Sequence, residues 1–449
     1  MAGRVQLGAT GPQDRSFTDD PEYTYFIKNF KKHGNFSRFY TDLDLEGRVE
    51  FDEEIRCTIP QNQGDLLKGV SLKLTLGGID QNLVSGYDHI TYCETIAQSM
   101  IEYADLYIGG TLIQRITTDM LAIHSELFVT QSKQTCLTKL IGKPYQIFSV
   151  ADDRYKVIRD ELVTKSKSDA SYIVNIPFYF HEYPELAIPL YAITKQEIEI
   201  VIKLRKAEEC IFAVNDTSDL ISESYYIGEN PTGLIKSAKL NLEMISLENK
   251  PKLGRIDYII TQTQLNRFTL NSADAKYNDL LKADEFEVRT DFKNSVKELF
   301  FVVKDKYENR TNIINDFATP LEYSSNTNIT GDASTFTNSE QLKYLEITLD
   351  GSEILDHVTG NMIHLRSIQP GKHHSRTPVY RRFYMYSFAL EPERWYPTGQ
   401  LNFSPIKNQN IKVGLFNYAT NFDKELRVYA QSYNILRLEN GTVKLLFDT

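Results

Sequence analysis

A chain of 449 residues, 41% hydrophobic and 24% charged, is long enough to bury two separate cores of roughly 200 residues each. Its net charge of −10 argues against wrapping nucleic acid, and no apolar run approaches the roughly 18–20 residues of a membrane-spanning helix. Aromatic residues make up 12% of the chain, nearly all Tyr and Phe, which favours strands over helical bundles.

The first residues, MAGRVQLGATGPQD, hold no apolar signal-peptide core. Gly8, Gly11, Pro12 and Pro21 argue against a regular element over residues 1–25. A basic cluster follows at Lys28, Lys31, Lys32, His33 and Arg38; solvated loops or inter-subunit contacts explain it better than nucleic acid does. Asp42 and Asp44 would share one strand face, a spacing some metal-dependent transferases use and any solvent-facing strand also shows.

Residues 70–76 (VSLKLTL) alternate, with Val70, Leu72, Leu74 and Leu76 on one face, as a half-buried strand requires. Gly109-Gly110 sits between two apolar runs and supplies the positive φ of a tight hairpin. A helix is expected over about 117–131, capped by Thr117 or Thr118, with Met120, Ile123, Leu127 and Phe128 at helical spacing. Alternating strands recur at 198–204, 240–244, 343–349 and 426–429, and Asp350-Gly351 marks a second hairpin. Short helices are expected after Glu248 and near 276–284. The four cysteines, Cys57, Cys93, Cys136 and Cys210, lack CxxC spacing and read as free buried thiols. Residues 305–341 form a long polar stretch, with 207–233 and 77–90 as shorter cases, and the 305–341 loop is expected to be outward and dispensable for folding. A second basic cluster, Lys372, His373, His374, Arg376, Arg381 and Arg382, reads like the first.

The two halves echo one another. IPFYFHEYPELAIP at 176–189 aligns with YMYSFALEPERWYP at 384–397, pairing Phe180 with Phe388, Pro184 with Pro392, Glu185 with Glu393 and Pro189 with Pro397. Upstream, LYIGGTLI at 106–113 aligns with ITLDGSEI at 347–354. Repeats in the same order imply one β-domain built twice. Phe388 and Leu390 are expected in the second core, as Phe178 and Phe180 in the first. No P-loop, HExxH or GxSxG pattern occurs, adjacent His373 and His374 would diverge on a strand, and Glu391 and Glu393 flank Pro392 without a matching pair at Glu185. No catalytic residue, metal ligand or cofactor site is expected.

Tyr386, Ser387, Phe388, Ala389, Leu390 and Pro392, then Pro397, Gly399, Asn402, Phe403 and Ser404, resemble the C-terminal signature of the major capsid proteins of nucleocytoplasmic large DNA viruses. Gln13-Asp14, Pro21, Tyr25-Phe26, Lys31, Lys32, Asn35, Phe36 and Ser37 resemble the family's N-terminal pattern, and RVYAQSYNILR at 427–437 its final strand. The resemblance implies an all-β double jelly roll with a few short helices: an arm over 1–25, a first jelly roll over 26–247, a connector at 248–255 and a second jelly roll over 256–449. It implies a homotrimer forming a pseudo-hexagonal capsomer of an icosahedral shell. Neighbouring trimers and minor capsid proteins beneath the shell would be its partners, and outer loops would contact the host surface. Nucleic acid would not be contacted directly. The chain would be made and assembled in the host cytoplasm.

NxS/T sequons occur at Asn35, Asn215, Asn309, Asn328, Asn402 and Asn440. Asn215, Asn309 and Asn328 fall in the polar loops and are the candidate glycosylation sites. Chance in an Asn- and Thr-rich chain explains the sequons better, since no secretory signal is present. A minor double jelly-roll component of the shell and a carbohydrate-binding β-sandwich remain as alternative readings.

Overall fold

The computed structural model describes residues 32–81, 88–143, 154–214, 233–252, 254–305, 341–378, 383–416 and 423–447, with parts of the first 31. The first half supplies β1 (Phe36–Asp44), β2 (Glu54–Thr58), β3 (Leu66–Leu76), β4 (Ile101–Ile108), β5 (Thr111–Thr117), β6 (Ala170–Asn175), β7 (Ile198–Leu204) and β8 (Ile235–Leu247). They form antiparallel sheets ordered β1-β8-β3-β6 and β2-β7-β4-β5. The second half supplies β9 (Ile256–Leu270), β10 (Ala283–Thr290), β11 (Ser295–Asp305), β12 (Leu342–Leu349), β13 (Ser352–Leu355), β14 (Tyr384–Ser387), β15 (Gln409–Phe416) and β16 (Lys424–Glu439). Their orders are β9-β16-β11-β14 and β10-β15-β12-β13, the same plan strand for strand. Each half is a jelly roll, two sheets closed face to face over a core, and the chain is a double jelly roll.

Alternation builds each core. In the first roll Leu72, Leu74, Leu240 and Leu242 point inward against Cys57, Ala104, Leu106, Ile200 and Ile202. In the second, Leu299, Phe301, Val303, Leu426 and Val428 meet Phe286, Leu345, Ile347, Val413 and Leu415. Both expected hairpins are two-residue loops with positive φ at both positions: 58° and 75° at Gly109-Gly110, 46° and 82° at Asp350-Gly351. A third, at Asn440-Gly441 (52° and 80°), returns β16 into β17 (Thr442–Leu445).

The helix α1 (Thr118–Leu127) begins where expected, with the Thr117 hydroxyl accepting from the Met120 amide. Two longer helices go beyond the sequence reading: α2 (Gln131–Ile141) and α3 (Arg154–Ser166).

Several expectations are corrected. No helix follows Glu248, whose amide instead bonds the Asn35 carbonyl, extending the β1–β8 ladder. Residues 276–284 turn back as a hairpin, Lys276–Asn278 against the start of β10, because Asn278 Oδ1 accepts from the amides of Leu280 and Leu281. The arm carries a short helix, Pro12–Thr18; Pro12 opens it, a position where its missing amide hydrogen costs nothing. Cys57, Cys93 and Cys210 are buried, but Cys136 is exposed on α2, and all four are free.

Phe388 packs against the second core as expected but is only half-buried, and Leu390 is 75% exposed, so neither matches the fully buried Phe178 and Phe180. The cause is an early turn: the amides of Phe388 and Ala389 both bond the Lys297 carbonyl, which bends the chain off β11 before Leu390. The repeat also slips beyond that turn. Pro189 lies opposite Leu66 and Asn402 opposite Ser295, so the short strands they belong to correspond, and Pro397 falls in the longer second corner. The polar stretch expected as an outward loop lies, apart from its ends, outside the described residues, as do Asn215, Asn309 and Asn328, Lys28, Lys31, Arg381 and Arg382.

Candidate functional site

The two rolls share a seam, and β11 shows how it is built. Its run LFFVV has no alternation because both faces are covered: Leu299, Phe301 and Val303 enter the second core, while Phe300 and Val302 join the first. Beside them on the outward face stand Met385, Tyr429 and Leu265. The outward face of the β9-β16-β11-β14 sheet is thus packed against the first roll.

The first roll presents β5 and α1 to that face. Ile113 is the extra residue of a β-bulge in β5, and its carbonyl accepts from Gln262 Nε2 at 2.6 Å. Asp119, in the first turn of α1, is buried and bonds Arg427 at 2.7 Å and the Tyr429 hydroxyl at 2.5 Å. Burial pushes the Asp119 carboxyl up, but the Arg427 charge, Lys304 and the Tyr429 hydroxyl outweigh it and hold the group well below the usual carboxylate range. Glu126, at the other end of α1, is buried between Lys143 at 3.1 Å and Arg376 at 3.3 Å, and Arg376 also bonds Gln131 at 2.9 Å. The Phe128 ring meets the His374 ring edge-on, centroids 5.1 Å apart.

His374 is fully buried and bonds Glu298 at 2.9 Å through Nε2 and Glu393 at 3.1 Å through Nδ1. Burial disfavours the charged ring, yet Glu298 and then Glu393 outweigh it and raise its pKa. His373 turns away to the Leu390 carbonyl. The second basic cluster is therefore consumed inside the protein at His374 and Arg376, and is not a solvated loop, because the buried acids of α1 and β11 require partners there. A cavity of about 90 Å³ lies in the seam, with His124, His181 and Glu182 on one side and Lys297, Glu393 and Arg394 on the other. Burial lowers the His181 pKa to about 4.

The echoed corners are each held by a buried lysine that sequence reading missed. The β3–β8 ladder pairs Leu67 with Met244 and Gly69 with Glu243, skipping Lys68. The β11–β16 ladder pairs Val296 with Ser432 and Glu298 with Gln431, skipping Lys297. Each lysine is a bulge residue, and a bulge re-aims its side chain out of the alternating pattern. Lys68 Nζ donates to the carbonyls of Phe180 and His181, and Lys297 Nζ to that of Pro392 at 2.8 Å. Burial lowers both pKa values. A signal existed: LLKGV and SVKELF each break strand parity at the lysine.

Beyond the seam, the sequence candidates find ordinary partners. Asp42 pairs with Lys73 at 2.7 Å and Asp44 with Lys239 at 3.1 Å on an open face. Glu391 pairs with Arg394, and among the described residues no group of His, Cys, Asp or Glu is arranged to hold a metal ion.

Residues 24–240 match the family described as "Major capsid protein N-terminus", and residues 254–443 match "Large eukaryotic DNA virus major capsid protein". The chain is 25% identical to the major capsid protein of Phaeocystis pouchetii virus, over 99% of each chain. It is 25% identical to that of Paramecium bursaria Chlorella virus 1, over 98% of each. Its fold superposes on a chain of the PBCV-1 virus capsid with a TM-score of 0.70 at 20% identity, covering 95% of this chain and all of that one. The Faustovirus major capsid protein gives a TM-score of 0.66 at 13% identity, covering 98% and 96%.

Proposed function

The chain is a major capsid protein of the large eukaryotic DNA viruses, and from that premise we propose that three copies close into a pseudo-hexagonal capsomer of an icosahedral shell. The observation that carries this reading is the seam. Two rolls of one strand order are locked by buried ion pairs and a shared apolar face into one block, and three such blocks give near-sixfold shape from threefold symmetry. On this reading the arm is 1–25, the first roll 26–247, the connector 248–255 and the second roll 256–449. The protein is structural, has no catalytic step and resides in the virion after assembly in the host cytoplasm. Neighbouring trimers adjoin it, minor capsid proteins lie beneath, and the polar 305–341 loop faces outward. Its candidate modification sites are Asn215, Asn309 and Asn328.

Sedimentation or mass photometry tests the trimer. The folded protein is expected at about three times its 51.7 kDa chain mass. A monomer persisting at micromolar concentration across the salt range would falsify the reading. Replacing 306–340 by a short Gly/Ser linker is expected to leave that mass unchanged.

A further inference from the structure

Two of the buried cysteines stand opposite one another. Between β3 and β4 the chain forms a short strand, His89–Tyr92, and between β7 and β8 another, Ile211–Val214; the two pair antiparallel, with Tyr92 facing Ile211. One step beyond that pair the Cys93 amide donates to the Cys210 carbonyl at 2.9 Å, so Cys93 and Cys210 are the next opposed residues. Opposed residues of an antiparallel pair share a face with Cβ atoms about 4.5–5.5 Å apart, and a disulfide closes at about 3.5–4.5 Å, so a small approach of the two strands suffices. The Cys210 amide turns back to the Ala207 carbonyl at 2.9 Å, which leaves this end of the ladder held by one hydrogen bond and able to tighten. The side chains meet as well. Burial and then the neighbouring Cys93 thiol raise the Cys210 pKa well above the usual thiol value, against the pull of Arg205.

The pair bridges two connections that leave the same end of the first roll. Leu76, ending β3, pairs with Ile235, opening β8, and Ile101, opening β4, pairs with Leu204, ending β7. In the second roll the connection from β11 to β12 corresponds to that from β3 to β4, and it holds the polar 305–341 stretch. The ladder is pinned to α3: the Tyr92 amide donates to the Ser166 hydroxyl at 2.8 Å, and the Thr91 and Ser166 hydroxyls bond at 3.1 Å. Cys93 is 4% and Cys210 0% exposed, so a reagent reaches the thiols only when the ladder opens.

We propose that Cys93 and Cys210 close into an internal disulfide that staples these two connections, and that it forms after assembly, once the protein has left the reducing cytoplasm. The bond stands on the ladder; its timing rests on the capsid reading, in which the chain is made in the cytoplasm and carried out in the virion. The reaction is exchange with a small-molecule disulfide such as oxidised glutathione. Cys93, the less enclosed thiol, loses its proton, and its sulfur attacks one sulfur of the reagent and breaks that S–S bond; the expelled thiolate takes up a proton. The Cys210 sulfur then attacks the Cys93 sulfur of the mixed disulfide and expels the second glutathione, which takes the Cys210 proton. Both protein sulfurs are oxidised, and one glutathione disulfide is reduced to two thiols. Cys57, opposite Ile200, and Cys136, exposed on α2, take no part.

The test uses the full-length Cys136→Ser protein, purified reduced, held folded with oxidised glutathione and quenched with acid. Its intact mass is expected to fall by two hydrogens with no glutathione retained, and digestion to release a peptide joining 93 to 210. The melting temperature is expected to rise by several degrees and to return with dithiothreitol. Cys93→Ala and Cys210→Ala, each compared with its own reduced form, should lose the link and the rise, and one of the two folding is enough; Cys57→Ala should keep both. Thiols at 93 and 210 that stay free throughout, or glutathione retained on Cys93 with no link to Cys210, would overturn the staple. For the timing, particles and the cytosol of producing cells are alkylated at lysis: the link is expected in the particles and absent from the cytosol. Free thiols in the particles overturn the timing, while a chain that forms the link but never trimerises overturns the capsid reading and leaves the staple standing.

Discussion

The β1-β8-β3-β6 and β9-β16-β11-β14 sheets have one strand order and one bulge position, yet their outward faces are opposites. Phe300, Val302, Tyr429 and Leu265 in the second roll are replaced by Ser71, Lys73, Asn241 and Asp42 in the first. The backbone therefore does not decide whether a sheet face becomes an interior. About four side chains do. The apolar set seals the seam within one chain, and the polar set, satisfied by its own hydrogen bonds, leaves a face that water tolerates until a partner arrives.

The largest test of this contrast is a pair of equivalent cations. Arg427→Ala strips the buried Asp119 of its bonded cation, leaving Lys304, and is expected to cost about 3–5 kcal/mol in denaturant melts, the range for breaking a buried pair. Lys239→Ala, at the matching site on the open face, is expected to cost under about 1 kcal/mol, as exposed pairs do. Similar losses would show the two faces to be energetically alike.

The corners give a second contrast. Phe180→Ala is expected to cost about 3–5 kcal/mol, the scale for a buried Phe. Phe388→Ala, half-buried, is expected at about half that, and equal values from equilibrium unfolding would place Phe388 in the core after all. Lys68→Met and Lys297→Met come next, at about 1–3 kcal/mol each, because each leaves buried carbonyls without a donor. A stabilised double mutant would mean the clasps serve only to set the corner's shape.

The smallest effect is a pH dependence. His374 has a raised folded pKa, so its stabilisation is complete below its ordinary value of 6.5 and is lost as pH rises through the folded value. Burial pushes Glu298 and Glu393 up, but His374 and their other partners hold both below the ordinary 4.5, so their contribution is present above 4.5 and lost as pH falls through the folded values. Lys297 is the remaining charged neighbour on Glu298. His181, held near 4, weakens the protein as pH falls from 6.5 toward 4. Melting temperatures recorded against pH should decline above 6.5 in the wild type, and His374→Gln should remove that decline.

Much of this was legible in the sequence, for local reasons. Alternation at 70–76 and 198–204, the Gly109-Gly110 and Asp350-Gly351 turns and the Thr117 cap depend on neighbouring residues, and each was found where they predict it. Asn440-Gly441 carries the same turn signal inside an NxT sequon. What stayed hidden depends on distant partners. Lys68 and Lys297 stand out locally because they share parity with the core residues Val70 and Leu299, but the bulge that redirects each exists only against the opposing strand. The basic run 372–376 reads as surface until α1 brings Glu126 to Arg376, 250 residues away. The unbroken run LFFVV fits a strand covered on both faces, but nothing local says what covers it.

The β16–β17 hairpin has a consequence for synthesis. The Gly441 carbonyl accepts from the Lys195 amide at 3.2 Å, and Val443 exchanges hydrogen bonds with the Gln196 side chain, 247 residues earlier. At roughly 5–20 residues per second, a ribosome needs about 12–50 s to cover that distance. For that interval the first roll is out in the cell without the strand pair that will cap its 194–196 turn and without the sheet that will take up Ile113 and Asp119. A nascent chain at this stage displays the apolar flank that carries Ile113. That flank is closed from within the chain only once residue 443 has been made, so the order of synthesis leaves it uncovered while the second roll is translated.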